Sequence, residues 1–403
     1  MSSTESNLGV YFHIPYCLQR CTYCDFATYV HTEIKPPKHY IELVKKEISL
    51  KHNLFAGFKQ APLQTIYFGG GTPSLIPAEL IVELISELSK FGYQTGPQTE
   101  ITIEINPATV DERKLEIYLK AGVNRFSVGA QTFSDRLLKM VHREHNSKQT
   151  IDTLALLKKY DLNFSFDVLF ALPSQTLAEL KYDVDVAVEL GSKHISPYCL
   201  TVPEGHPLSK NRPLEDEQVE MFDIIHQTLL KNDFHRYEIS NYSKPGFESK
   251  HNLLYWTDAN YWGFGLSAHS YMKSTGPEKN WGSRFWNLNN FDLYEKDILS
   301  LKPVDLVSNL ADSQKEILKI HQSLTDFCHT ALRLESGICL EKLENKFGAN
   351  ALSAVQNIAS TLTTHGVIKL ADNAYRLTDP GVLVSNQVFE KFTFLENDLN
   401  TTN

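Results

Sequence analysis

Short β-type runs alternate with helical patterns through residues 8–200, and this alternation limits the chain to one class of fold. The runs are Val10–Ile14, Thr65–Gly69, Glu100–Ile105, Arg125–Gly129, Asn163–Phe170 and His194–Leu200. The stretches between them read as helices. Asp111–Ala121 is one: Asp111 and Glu112 stand at its positive end, Leu115, Tyr118 and Leu119 form an apolar stripe, and Gly122 follows as a stop. Similar helices are expected around Pro77–Phe91 and Leu177–Leu190. Six β-α units in series predict a parallel sheet, because each parallel connection needs a crossover. Six are too few for a closed eight-stranded barrel, which leaves an α/β partial barrel or a doubly wound sheet. In either, ligands gather beyond the carboxyl ends of the strands.

The rest of the chain divides further. Residues 201–307 are aromatic and rich in Gly and Asn, with few clear periods, and are expected to cover the open side of the sheet. A third unit, 308–403, opens with helical patterns at Ser313–Leu332, Leu340–Phe347 and Ala349–His365. A hairpin follows, Val367–Leu370 to Ala374–Leu377, turned by Asp372-Asn373. This suggests a winged-helix-like α+β module. Residues 305–403 carry 8 Lys and Arg against 12 Asp and Glu, a net of −4. A wing that reads DNA is usually basic, so packing or docking is the expected role. The tail Glu396–Asn403 is polar and expected to fray.

The net charge of the whole chain, −9, gives no attraction to nucleic acid or to an anionic membrane. Contact with a membrane is expected only through a partner. Residues 1–8 have no basic or apolar signal region, and no apolar run approaches the roughly 18 residues of a membrane span. A cytoplasmic location is therefore expected, where clustered cysteines act as metal ligands more readily than as disulfides.

Three of the six cysteines crowd together just past the first strand, as Cys17, Cys21 and Cys24 in C-x₃-C-x₂-C spacing. Cys199, Cys328 and Cys339 are scattered. Electron-transfer clusters use four Cys ligands. Three thiolates hold three irons of a four-iron cluster and leave the fourth open to a ligand. A zinc site is the alternative, but it would need a fourth Cys or His at matched spacing. His13 is nearby but lies on the strand, where packing is expected. Gly69-Gly70-Gly71-Thr72-Pro73 ends the second strand. Its glycines permit close approach of a ligand to the backbone and would expose N–H donors.

The Cys triplet after the first strand of a β/α chain resembles the radical S-adenosylmethionine (SAM) superfamily. The resemblance implies a partial (β/α)6 barrel and a 4Fe-4S cluster whose open iron binds the amino and carboxylate groups of SAM. It also implies one-electron cleavage of the C–S bond to a 5′-deoxyadenosyl radical. Tyr23 matches the aromatic beside the adenine, and Gly70, Gly71 and Thr72 match the segment that binds the methionine end. Glu104, Gln131, Arg143 and Asp167, with Tyr11, resemble the cofactor contacts of the branch that contains the oxygen-independent coproporphyrinogen III oxidases.

Tyr11-Phe-His-Ile-Pro-Tyr-Cys17, Tyr237-Glu-Ile-Ser-Asn-Tyr242 and His251-Asn252-Leu-Leu-Tyr255-Trp256 resemble, more narrowly, the HemW-type haem chaperones. The oxidases have a further Cys where this chain has Phe26, and a long N-terminal extension where only sixteen residues precede Cys17. Both departures favour a chaperone. The resemblance implies haem as a ligand, a haem-receiving respiratory protein and an electron donor as partners. A neutral imidazole is a good axial ligand, so His251 is the haem candidate, with Tyr255 and Trp256 available for a porphyrin face. In the bland reading His251 caps a turn and the aromatics fill core. His269 is a second candidate. The other functions weighed are oxidative decarboxylation of coproporphyrinogen III and plain electron carriage. The last gives no reason for an open iron beside a glycine triplet.

Overall fold

The computed structural model describes residues 8–273 and 281–399. Its centre is six parallel strands: β1 Leu8–Ile14, β2 Thr65–Gly70, β3 Glu100–Ile105, β4 Arg125–Gln131, β5 Asn163–Phe170 and β6 His194–Cys199. The crossovers carry helices α1 Pro37–Lys51, α2 Ala78–Lys90, α3 Glu112–Lys120, α4 Ser147–Lys159 and α5 Leu177–Glu189. Local chemistry sets their ends. Asp111 accepts the Lys114 amide at the start of α3, and Asn146 and Thr176 form capping boxes at α4 and α5. Alternate strand residues such as Phe12, Phe68, Ile103 and Phe126 are buried in the main core, which α1 to α5 share. The other face carries Tyr11, Tyr67, Glu104, Ser127 and Asp167 and lines a lumen.

Residues 201–300 correct the expectation of a simple cover. Helix α6 (Glu215–Lys231) leads to β7 His235–Glu238 and β8 Asn241–Ser243, which extend the sheet beyond β6. After helix α7 (Lys250–Trp256), β9 Asn260–Phe264 runs parallel beside β1. The strands β10 His269–Met272, β11 Ser283–Trp286 and β12 Lys315–Ile317 add antiparallel at that edge. The twelve-stranded order is β12-β11-β10-β9-β1-β2-β3-β4-β5-β6-β8-β7. Helix α7 packs against β1, β2 and β9 on the face that carries Tyr11 and Tyr67. Gly9 makes this approach possible: a Cβ there would stand 2.2 Å from Leu254 Cδ1. These strands are three to five residues long, too short for a period to show in the sequence.

The longer C-terminal helices are α8 Phe291–Ser300, which packs on α1, then α9 Ile320–Arg333, α10 Leu340–Phe347 and α11 Ala349–Thr364; two short ones, Asp379–Leu383 and Ser385–Lys391, follow. The helix expected from Ser313 starts only at Ile320, because residues 315–317 pair with β11 as β12. Strands β13 Ile338–Cys339, β14 Ile368–Ala371 and β15 Ala374–Leu377 form a small antiparallel sheet. Asp372 and Asn373 both take positive φ, +48° and +57°, as a tight two-residue hairpin requires. Leu324, Cys328, Leu332, Val355 and Phe392 form a separate core. Glu396–Leu399 make a short turn against α9 and α11, where fraying was expected; residues 400–403 lie outside the described residues. Among the described residues no helix is long and apolar enough to cross a membrane.

Candidate functional site

A cavity of about 460 Å³ opens at the carboxyl ends of β1–β6. Cys17, Cys21 and Cys24 stand at its mouth, all half-buried. Cys17 is held by pairing of Tyr16–Cys17 with Tyr29–Val30, and Cys24 by its amide bond to the Cys21 carbonyl at 3.2 Å. The Thr72 hydroxyl donates toward Cys17 Sγ at 3.9 Å, and Arg143 Nη1 toward Cys21 Sγ at 3.5 Å. Burial pushes the Cys17 thiol up to about 11 and Cys24 upward too. Such thiols ionise against a strong cationic partner, which iron supplies. Among the described residues no three His, Cys, Asp or Glu side chains converge on one ion position. Three thiols at one cavity mouth fit a cluster that spreads them over separate irons, whereas a structural zinc ion takes four protein ligands.

The glycine triplet plays a different part from the one expected. Gly70 N donates to Glu104 Oε2 at 3.1 Å, Gly71 N to Ile14 O at 2.9 Å and Thr72 N to Tyr16 O at 2.7 Å. The amide hydrogens are thus used within the chain. Gly70 has φ +108°, and a Cβ there would lie 2.5 Å from the His13 ring. The glycines bring β2 close to the end of β1 while Gly70, Gly71 and Thr72 still line the cavity. His13 is packed, as its strand position predicted. Its nitrogens meet Tyr11 OH at 3.1 Å and Ala27 O at 2.9 Å, and burial lowers it to about 4.

Glu104, Gln131, Arg143, Asp167 and Tyr23 all reach this cavity. Glu104 Oε1 accepts from Tyr67 OH at 2.8 Å. Burial raises Glu104 to about 7 despite that bond, and raises Asp167 to about 6 against the Ser196 hydrogen bond and the positive charges of Arg125 and Arg143. Gln131 sits at φ +70°, past a register shift between β4 and β5 that re-aims its side chain. Arg143 bonds Asn106 Oδ1 at 3.0 Å and the Gly129 carbonyl. Tyr23 packs on a satellite core of Leu137, Val141, Leu169, Leu172 and Leu200. Tyr11 alone of the expected SAM contacts stands one ring behind, stacked on Tyr67 at 6.1 Å. Sequence reasoning passed over Arg125, Tyr67 and His194. The alternation Arg125-Phe-Ser127-Val-Gly129 carried the signal, since it places every second polar or small residue on the lumen face.

His251, the expected haem candidate, lies buried behind the lumen. It is 1 % exposed, with Nδ1 2.6 Å from Thr65 Oγ1 and Nε2 2.9 Å from Tyr255 OH. Both nitrogens are occupied, and burial lowers the ring to about 3. Trp256 is likewise turned away, with the Arg333 guanidinium of α9 4.5 Å from its ring. Tyr255 does reach an open surface. With Tyr11, Phe26, Tyr261 and His269 it lines a second groove of about 320 Å³. His269 is exposed there, its ring stacked 5.8 Å from Trp286. Phe26, 64 % exposed, lines both groove and cavity.

Comparison with known proteins gives this arrangement its place. Residues 11–187 match the Radical SAM superfamily. A Lactococcus lactis protein named heme chaperone HemW is 33% identical over 97% of this chain and 98% of its own length. The chain belongs to the HemW family. A Bacillus subtilis HemW is 30% identical over 95% of this chain and 98% of its own length, and an Escherichia coli HemW 35% over 67% and 71%. The HemW match thus spans both the barrel and the C-terminal module. Among solved structures, coproporphyrinogen III oxidase (HemN) from Escherichia coli superposes with a TM-score of 0.78 over 97% of this chain and 91% of its own, at 18% identity. That likeness establishes the radical SAM fold.

Proposed function

We propose that this chain is a haem chaperone that carries a 4Fe-4S cluster on Cys17, Cys21 and Cys24, binds SAM in the adjoining lumen and passes haem to a respiratory protein. The family relationship supports haem as the cargo. The observation that carries the reading is Phe26. It stands two residues after Cys24, shared by lumen and groove, and offers an apolar ring in place of a further thiol. When bound, the cluster and SAM supply one-electron reductive cleavage of a C–S bond. The chain's own part is to hold and shield. Arg143 places positive charge beside Cys21, Glu104 and Asp167 offer acceptors to an amine or a ribose, and Gln131 closes the strand end. In the groove, Phe26, Tyr255 and Tyr261 present faces to a porphyrin, and His269 presents a ring nitrogen to its iron. His251 orients Tyr255 from behind. The proposed setting is cytoplasmic, with an electron donor as a second partner and any membrane contact made through the recipient.

Haem titration of the purified, cluster-reconstituted protein tests the reading. Stoichiometric uptake with a histidine-ligated spectrum is expected. Absence of uptake, or rapid conversion of coproporphyrinogen III under anaerobic reduction, would overturn it in favour of the oxidase.

A further inference from the structure

At the lower end of the lumen, Arg125 begins β4 and is 2 % exposed, yet its guanidinium forms no ion pair and its Nε has no hydrogen-bond partner among the described residues. An unpaired cation in so dry a position is costly unless something neutralises it. His194 lines the same cavity and is 1 % exposed. Its Nε2 lies 2.8 Å from Tyr237 OH, while Nδ1 has no hydrogen-bond partner among the described residues. The Tyr237 oxygen also accepts from the Ser249 amide at 3.4 Å, and giving its own proton to Nε2 satisfies the hydroxyl in both roles. Burial, and then the charge of Arg125, keep His194 neutral, well below the usual imidazole range. With Nε2 accepting from Tyr237, the neutral ring carries its proton on Nδ1. Two buried, unpartnered donors thus line the lumen floor. Asp167, which shares the lumen and feels the charge of Arg125, is hydrogen-bonded to Ser196.

We propose that Arg125 and His194 form a carboxylate-binding floor, which takes the free carboxylate of a ligand lying below the cluster. A guanidinium recognises this planar anion with parallel N–H donors. The group is distinct from any carboxylate held at the cluster, because Arg125 and Gln131 stand at opposite ends of β4, about 20 Å apart along the strand. The carboxylate has two candidate sources: the amino-acid end of a SAM molecule that sits off the cluster, which rests on the proposed function, or a propionate of a porphyrin seated in the lumen and not in the groove of His269.

The test titrates full-length, cluster-reconstituted protein with two matched pairs, haem against haem dimethyl ester and, once a first equivalent of SAM has filled the open iron, a second equivalent of SAM against decarboxylated SAM. For one pair the acid should bind about tenfold or more tightly than its analogue. Arg125→Gln should reduce that preference to about twofold or less, with analogue affinity and cluster absorbance unchanged, and Arg125→Lys should keep part of it. Loss in the haem pair assigns a propionate, and loss in the SAM pair assigns the amino-acid carboxylate. Wild-type protein with no preference in either pair, or a preference that survives in Arg125→Gln, would overturn the proposal. The wild-type comparison decides even where a variant fails to fold. If wild type binds neither haem species, the chaperone reading fails and the SAM pair alone decides the floor.

Discussion

His251 Nε2 lies 2.9 Å from the Tyr255 hydroxyl, so the first residue of the HNxxYW motif supports the fifth. The opposite nitrogen is taken by Thr65 at 2.6 Å, which ties α7 to β2 under the lumen. His251→Ala would leave Thr65 and Tyr255 without their partner in a buried place. A loss of about 1–3 kcal/mol in denaturant unfolding is expected. The haem complex of this variant should keep its histidine-ligated optical and electron-paramagnetic spectrum, and His269→Ala should lose it. The reverse pair of spectra would return the iron to His251.

Each of Cys17→Ser, Cys21→Ser and Cys24→Ser should lose most of its iron and the cluster absorbance, because two thiolates hold such a cluster poorly. Cys199→Ser and Cys339→Ser should keep both. Cys328 is fully buried in the C-terminal core, so Cys328→Ala should retain iron yet unfold about 1 kcal/mol more easily. Iron analysis beside urea unfolding separates the two effects. Full iron in Cys21→Ser would refute the ligand set.

Glu104 gives a pH dependence of definite sign. Burial raises its carboxyl from the ordinary carboxylate range to about 7 in the folded chain. The folded state therefore holds the proton more tightly than the unfolded state. This contribution to stability is complete below the unfolded carboxylate value and is lost as pH rises through about 7. Glu104→Gln cannot ionise. Relative to wild type, the variant should gain about 2–3 kcal/mol between pH 5 and pH 8, measured by urea unfolding of metal-free protein. A constant difference across that range would show that Glu104 is not the titrating group.

The parts legible in the sequence were those written in local periods. Strands β1–β6 alternate buried and lumen-facing residues, α3 announces itself with Asp111 and Gly122, and the β14–β15 turn needs the positive φ that Asp372 and Asn373 tolerate. The cysteines and the strand-end polar residues share one cavity for the same reason, since parallel order sends every strand end to one side. What stayed hidden was set by distant partners. Nothing near His251 in the chain predicts that Thr65, 186 residues away, takes its Nδ1. Nothing near Trp256 predicts Arg333. The use of the glycine amides by Ile14, Tyr16 and Glu104 depends on β1–β2–β3 register, which a single strand cannot reveal.

The approach to His269 rests on a buried carboxylate, and this gives the last prediction. Glu47 is fully buried and receives four donors: Lys51 Nζ at 2.8 Å and Asn287 Nδ2 at 2.7 Å on Oε1, Gly265 N and Tyr294 OH at 2.9 Å each on Oε2. Gly265, at φ +91°, follows β9 and starts the turn that leads to His269. Glu47→Gln would leave Lys51 as an uncompensated cation and should cost about 3–5 kcal/mol. Removing both charges, in Glu47→Gln with Lys51→Met, should restore part of that loss, because no buried charge then lacks a partner. Haem affinity should fall in the single variant and recover with the double variant, since the same turn positions His269. Denaturant unfolding and haem titration on the same three proteins check both halves. Equal stability of single and double variants would mean that the hydrogen bonds of Glu47, and not its charge, hold the turn.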